Sequence, residues 1–133
     1  MSRFAQVNLL EIEDSVGGRV EGLEGRFGRK QLDSRDLGVS HWRYGPGFRS
    51  EAGHRHREQE EAYVVISGSG QILLDDELLE LRPWDVVRVA PEVVRAFAAG
   101  PDGMEIVAVG GPKPEGGDGE RADVSWPDAA ASG

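Results

Sequence analysis

The sequence has 133 residues, a length that suits one domain built around a single hydrophobic core. Acidic residues outnumber basic ones by 24 to 15, and the formal net charge of -9 argues against nucleic acid and anionic membrane surfaces as partners. Because the chain has no cysteine, disulfides, thiolate metal sites and thiol nucleophiles are excluded. Any metal ion would therefore be held by histidine, carboxylate and water.

Residues 1–24 form an N-terminal segment without sustained helical periodicity. Within it, residues 4–13 suit either one short turn of helix or an edge strand. The segment lacks the charged start, the long apolar stretch and the cleavage site of a secretory signal, and no later apolar run reaches membrane-spanning length. We therefore expect a soluble, cytoplasmic protein.

Residues 25–111 carry the signals of an all-β domain. Short apolar or β-branched runs are separated by glycine, proline and aspartate, and the 19 glycines favour many short elements over long helices. Residues 67–70 and 75–76 are compact polar breaks that predict hairpin turns. The predicted strands are residues 25–32, 37–44, 61–67, 71–74, 85–90, 95–99 and 104–110. This many strands with short connections predict a sandwich or a barrel.

Residues 112–133 differ from the preceding domain in composition. They are rich in glycine, proline and acidic residues, and Trp126 is their one aromatic side chain. Such a composition buries too little apolar area to offset the entropy of ordering the chain. The segment is predicted to be a flexible acidic tail that contributes little to stability.

The residues most suggestive of chemistry are two of the three histidines, His54 and His56. In an extended chain, residues two apart point to the same face, so both imidazoles can be directed at one point. Glu61 begins the next predicted strand and can add a carboxylate oxygen. A set of two histidines and one carboxylate suits non-heme iron and also accepts manganese, nickel, cobalt or zinc.

The same stretch resembles the first conserved motif of the cupin superfamily, in which two spaced histidines are followed by a glutamate and then a glycine. His54, His56, Glu61 and Gly68 fit that motif, with four residues between His56 and Glu61 and six between Glu61 and Gly68. The resemblance covers roughly residues 37–110. It implies a small double-stranded β-helix, the jelly-roll barrel of cupins, and a divalent transition metal held by His54, His56 and Glu61.

The second cupin motif is matched only by the order of its strands. Arg95 stands where the resemblance places a third metal-binding histidine. Arginine stays protonated and cannot be a ligand. Two interpretations follow: Arg95 binds the carboxylate or phosphate of an anionic substrate beside the metal, or it pairs with Glu61 in a pocket without metal.

Other residues offer further candidates. Tyr63 shares strand parity with Glu61, so its hydroxyl can face the same lumen and act as an acid–base group. His41 could add a third imidazole, although a partly buried structural histidine is the commoner case. Apart from Tyr63, the aromatic residues that could line a pocket suit core packing or a dimer contact better; they are Trp42, Tyr44, Trp84 and Phe97.

These features predict a metal-dependent cupin enzyme that acts on a small, anionic organic molecule in a dioxygenase- or isomerase-like reaction. The alternatives are a non-catalytic module that binds a small molecule, with or without metal, and a metal-free isomerase or epimerase in which His54 or His56 acts as the base. We also expect a homodimer, because a small barrel leaves strand edges that pairing would cover.

Overall fold

Eight β-strands and one 3₁₀ turn form the regular structure of residues 3–127, the part of the chain that the computed structural model describes. The 3₁₀ turn is Leu9–Glu11, and the strands are β1 Leu23–Phe27, β2 Gly38–Tyr44, β3 Ala52–His56, β4 Glu61–Leu74, β5 Glu77–Leu81, β6 Val86–Val89, β7 Arg95–Gly110 and β8 Gly119–Asp123. All strand pairs are antiparallel. The predicted all-β class is confirmed.

The two longest strands, β4 and β7, hold the barrel together because each runs through both of its sheets. One sheet has the order β6-β4-β7-β2-β1, using the start of β4 and the end of β7. The other has the order β5-β4-β7-β3-β8, using the end of β4 and the start of β7. Two such sheets, continuous through shared strands, make the predicted jelly-roll barrel.

Residues 67–70, predicted to be a hairpin turn, instead lie inside β4. The pairing of β4 with β7 shifts register between Val65 and Ser67 and again between Gly68 and Gly70, which marks β-bulges where the strand bends from one sheet to the other. Gly68 has φ 76 and Gly103 on the facing part of β7 has φ 78. A Cβ on Gly68 would lie 2.2 Å from the Gly103 carbonyl oxygen. The two glycines therefore allow the backbones of β4 and β7 to approach closely where the strands cross. The turn at residues 75–76 does join β4 to β5, as predicted.

Gly68→Ala is expected to destabilise the protein by about 3 kcal/mol or more, because it adds a backbone collision to the strain of a positive φ. Gly47→Ala is the matched control. Gly47 has φ 71, but a Cβ added there would meet no atom within 4 Å, so its cost should be the conformational strain alone, about 1–2 kcal/mol. Urea unfolding of both variants measures the difference. Equal losses would show that the β4–β7 crossing tolerates a side chain at Gly68.

The hydrophobic core lies between the two sheets. Val65, Ile72 and Ile106 are at most 1% exposed. Phe97 stacks on Tyr44 with ring centroids 5.6 Å apart and meets Tyr63 edge-on at 5.0 Å. Each aromatic pair of this kind adds about 0.5–1.5 kcal/mol beyond the area it buries. The aromatic residues thus fix the relative positions of β2, β4 and β7.

The N-terminal segment contains the 3₁₀ turn, which agrees with the helical one of its two predicted conformations. It is attached to the barrel through Asp14, whose Oδ1 accepts hydrogen bonds of 3.0 Å from the backbone amides of Val16, Gly17 and Gly25. These bonds hold the pKa of Asp14 below its usual value. Within residues 3–127, no helix has the length and apolar content needed to cross a bilayer.

The C-terminal segment differs from the predicted flexible tail. Its strand β8 pairs with β3 from Ala52↔Asp123 to His56↔Gly119. Beyond the strand, the Trp126 indole N–H donates to the Ser50 carbonyl oxygen at 2.8 Å. The backbone edge of β3 supplies hydrogen-bond partners that composition alone does not reveal, and they order a segment with little apolar surface. Residues 128–133 of the predicted tail lie outside the described residues.

Candidate metal centre

The first two members of the site, His54 and His56, lie on β3. The strand is extended, so residues two apart project to the same side, as predicted from their spacing. Their rings stand at 89° to one another with centroids 5.2 Å apart. His54 is paired across the sheet with Arg95 of β7, and His56 with Gly119 of β8. The two imidazoles therefore approach one point from neighbouring positions of a single strand.

Glu61, the first residue of β4, brings a carboxylate to the same point from the other sheet. Its Oε1 lies 3.4 Å from His54 Nε2 and 3.2 Å from His56 Nε2. One ligand atom from each of the three residues lies within 4.8 Å of the others. The structure thus brings together the two nitrogens and one oxygen that the sequence predicted as a metal-binding set.

The Glu61 carboxylate is largely buried and strongly hydrogen-bonded. Burial opposes its ionisation, but hydrogen bonds from His54 and the Tyr63 hydroxyl, together with the nearby His56 imidazole, outweigh that cost and hold the pKa of Glu61 well below its usual range. Burial, together with the Glu61 charge, raises the pKa of Tyr63 well above 10.0. At neutral pH, therefore, Glu61 is ionised, and Tyr63 stays protonated and donates a hydrogen bond to it.

His56 tests whether this set of donors fits a metal. Its Nδ1 lies 2.9 Å from Asp118 Oδ1, while its Nε2 is buried and has no aligned hydrogen-bond partner among residues 3–127. A buried nitrogen without a partner is costly. A cation between His56 Nε2, His54 and Glu61 would relieve that cost, and a histidine held through its other nitrogen by a carboxylate is the usual arrangement of metal ligands. The residues present fit a divalent transition metal.

Arg95, the residue predicted to bind substrate, is fully buried at the start of β7, with 0% exposure. Its Nη2 donates to the Ala90 carbonyl oxygen at 2.8 Å, and its Nη1 lies 3.8 Å from Glu61 Oε1. Neither Nη1 nor Nε has a hydrogen-bond partner within the described part of the chain. A buried guanidinium therefore faces the site with two donors free for a further acceptor.

The site opens into a cavity of about 1240 Å³. His54, His56, Glu61, Tyr63 and Arg95 all line it. Six basic and four acidic side chains contribute to the lining, although the whole chain carries a formal net charge of -9. The cavity is therefore less acidic than the rest of the molecule.

Two other candidates from the sequence lie elsewhere. His41 Nε2 lies 2.7 Å from Glu105 Oε2, so His41 is a buried structural histidine and does not join His54 and His56. Trp84 is 76% exposed and does not line the cavity, whereas Trp42, Tyr44 and Phe97 do. Asp118 was missed because it lies in a segment of polar and glycine residues, far along the sequence from His56.

Comparisons with known proteins agree with this architecture. The family model for the cupin domain matches residues 40–110. A comparison with curated proteins gave no match. The structure is similar to that of a cupin protein from Bacteroides fragilis, with a TM-score of 0.69 and 22% identity over 86% of this chain and 88% of that one.

Two similar structures are of enzymes. A sugar phosphate isomerase of the cupin superfamily from Silicibacter pomeroyi gives a TM-score of 0.69 and 22% identity over 82% of this chain and 76% of that one. A polyketide cyclase from Streptomyces resistomycificus gives a TM-score of 0.72 and 16% identity over 92% and 87%. At these identities the likeness establishes the fold alone. Together with the family match over more than half of the sequence, it shows that the chain belongs to the cupin family.

Proposed function

We propose that this protein is a metal-dependent cupin enzyme acting on a small, anionic organic molecule in a dioxygenase- or isomerase-like reaction. The observation that carries the proposal is the convergence of His54, His56 and Glu61, with His56 Nε2 buried and without an aligned hydrogen bond among the described residues. Two imidazoles and one carboxylate leave coordination positions open for substrate. When bound, the metal would supply Lewis acidity and a template for the substrate.

Arg95 is the residue that we propose binds the anionic group of the substrate. Its Nη1 and Nε are unpartnered within residues 3–127, and both lie on a fully buried guanidinium that lines the cavity. A carboxylate or phosphate oxygen could accept a charge-assisted hydrogen bond from either of these donors. The excess of basic over acidic side chains around the cavity supports the same class of substrate. The similar sugar phosphate isomerase makes phosphorylated sugars one group of anions to test.

Tyr63 is proposed as the acid–base group. Its hydroxyl lines the cavity and donates a hydrogen bond to Glu61. The raised pKa keeps Tyr63 protonated at neutral pH, so its hydroxyl would act by turning from Glu61 to donate its one hydrogen to substrate.

The second candidate is a non-catalytic, metal-free module that binds a small molecule. The observation in its favour is the 3.8 Å approach of Arg95 Nη1 to Glu61 Oε1, which places a positive charge beside the carboxylate that a metal would need. In this second candidate, the cavity would bind an anion through Arg95 and would not catalyse a reaction.

Elemental analysis of protein purified without an affinity tag distinguishes the two candidates. One equivalent of a transition metal per chain is the result expected of the proposed enzyme. Absence of bound metal, combined with no uptake of iron, manganese, nickel, cobalt or zinc on dialysis, would favour the metal-free module.

We further propose that the protein is a cytoplasmic homodimer. The exposed apolar residues near the free edges support pairing: Phe27 on β1 is 44% exposed and Val86 on β6 is 63% exposed. Edge strands of this kind are usually covered by a partner or protected by charge. The acidic net charge supports the proposal that nucleic acid and membrane surfaces are not partners.

A further inference from the structure

Asp118 reaches the site through a turn that the sequence does not identify. Gly116 and Gly117 both have φ 79, a conformation that other residues rarely adopt, and the Gly117 amide donates to the Pro114 carbonyl oxygen at 2.8 Å. The turn places Asp118 immediately before β8, where it is 3% exposed. A buried carboxylate in a polar segment needs partners that offset its desolvation.

Three donors surround that carboxylate. Oδ2 accepts from the backbone amides of Glu58 at 2.7 Å and Gln59 at 2.8 Å, and Oδ1 accepts from His56 Nδ1 at 2.9 Å. The two amides belong to the connection between β3 and β4, the segment that separates the histidines from Glu61. Because both amides point at Oδ2, the Asp118 side chain has one fixed orientation.

This orientation determines the protonation of His56. An ionised carboxylate only accepts hydrogen bonds, and within residues 3–127 Nδ1 is aligned with Asp118 whereas Nε2 has no aligned partner, so in the neutral ring His56 Nδ1 carries the hydrogen. In the neutral ring, the lone pair then resides on Nε2, which lies 3.2 Å from Glu61 Oε1 on the side of the candidate metal centre.

We propose that Asp118 is a positioning residue that fixes His56 in its Nδ1–H form and directs Nε2 at the metal centre. The inference deepens the proposed function, on which its consequence for metal binding rests. The choice of tautomer follows from the hydrogen bonds alone. The C-terminal segment is thereby part of the site, because it supplies the partner of one ligand.

Asp118→Asn tests the proposal with almost no change of shape. Asparagine has only one side-chain oxygen, and the amides of Glu58 and Gln59 need an acceptor at the Oδ2 position. The asparagine NH₂ then takes the Oδ1 position and donates to His56 Nδ1. We therefore expect the ring to switch to its Nε2–H form, which cannot bind a metal through that nitrogen.

Glu120→Gln is the matched control. It removes the same charge from the same segment, but Glu120 forms a half-exposed ion pair with Arg55, 3.2 Å away, and no bond with His56. This pair is of a kind that contributes little to stability. Any effect of Asp118→Asn beyond that of Glu120→Gln therefore arises from the contacts of Asp118.

The first measurement is the tautomer of His56 in metal-free protein, read from the ring nitrogen shifts of ¹⁵N-histidine-labelled samples at a pH where the ring is neutral. We expect Nδ1–H in the unsubstituted protein and in Glu120→Gln, and Nε2–H in Asp118→Asn. An Nε2–H ring in the unsubstituted protein would overturn the proposal, even if Asp118→Asn failed to fold.

The second measurement is calorimetric titration with zinc alone. Asp118→Asn is expected to weaken zinc binding by about 10–100-fold, the usual effect of losing a ligand's hydrogen-bond partner, while Glu120→Gln stays within about threefold. If zinc binds and Asp118→Asn leaves both affinity and tautomer unchanged, the positioning role is wrong and the metal centre stands. If no variant binds zinc but the tautomer switches, the positioning role stands and the metal function is wrong.

Discussion

A chain that ends at Gly111 is expected to melt at least about 10 °C below one that ends at Pro127. The longer chain contains β8, which pairs with β3 over five residue pairs, and the bonds of Asp118 and Trp126. Each net hydrogen bond contributes about 0.5–1.5 kcal/mol, so their combined loss should exceed about 3 kcal/mol. For a domain of this size, a loss of that order lowers the melting temperature by about 10 °C.

Thermal unfolding followed by circular dichroism gives the comparison. Trp126→Ala in the longer chain should cause a smaller fall, because it removes one anchor and leaves the strand in place. That anchor comprises the 2.8 Å hydrogen bond to Ser50 and the stacking of Arg49 over the indole ring at 5.6 Å. Equal melting temperatures for the two chains would mean that β8 does not stabilise the barrel, as composition alone predicts.

The strand β8 illustrates a limit of sequence patterns. Its residues, Gly-Glu-Arg-Ala-Asp, have no apolar alternation, because one edge pairs with β3 and the side chains are exposed or half-buried. The ordering comes from backbone hydrogen bonds to β3, which no side-chain pattern reports. The same limit applies to Asp118, whose partners lie about sixty residues earlier in the chain.

The long strands β4 and β7, each predicted as two shorter strands, illustrate a second limit of sequence patterns. Glycines at residues 67–70 suggested a turn, since glycine is common both in turns and at bulges, and sequence alone does not separate the two. The residues on either side are in strand conformation as predicted, but they belong to the single strand β4. By contrast, the His-x-His spacing carried geometric information directly, because the two-residue period of an extended chain fixes which side chains share a face. That part of the site was therefore predictable.

The placement of Arg95 beside Glu61 was also predictable, but only through the cupin resemblance. Strand order suggested that Arg95 occupies the place of a third histidine, and the structure sets it opposite His54 on the neighbouring strand. Only the structure shows that Arg95 Nε and Nη1 have no hydrogen-bond partners within the described chain. The two proposed functions differ in whether the positive charge of Arg95 prevents a metal from binding at Glu61.

His54→Ala and His56→Ala are each expected to abolish metal binding while leaving the barrel folded. Each substitution removes one of the three proposed ligands, and the two that remain should bind divalent ions too weakly for the metal to survive purification. Neither residue belongs to the hydrophobic core. Elemental analysis and zinc titration measure the loss, and circular dichroism verifies the fold. His41→Ala is the matched histidine control, because His41 bonds to Glu105 and should leave the metal content unchanged.

Arg95→His is expected to tighten zinc binding by at least about tenfold, because it removes a fixed positive charge near Glu61 and adds a fourth ligand. Arg95→Gln separates the two causes, since it removes the charge without supplying a ligand. We expect affinities in the order arginine, glutamine, histidine, from weakest to strongest. An Arg95→His variant that binds no better than Arg95→Gln would show that residue 95 does not occupy a ligand position. Weaker binding by both variants would mean that the guanidinium supports the metal site, and the charge argument would be wrong.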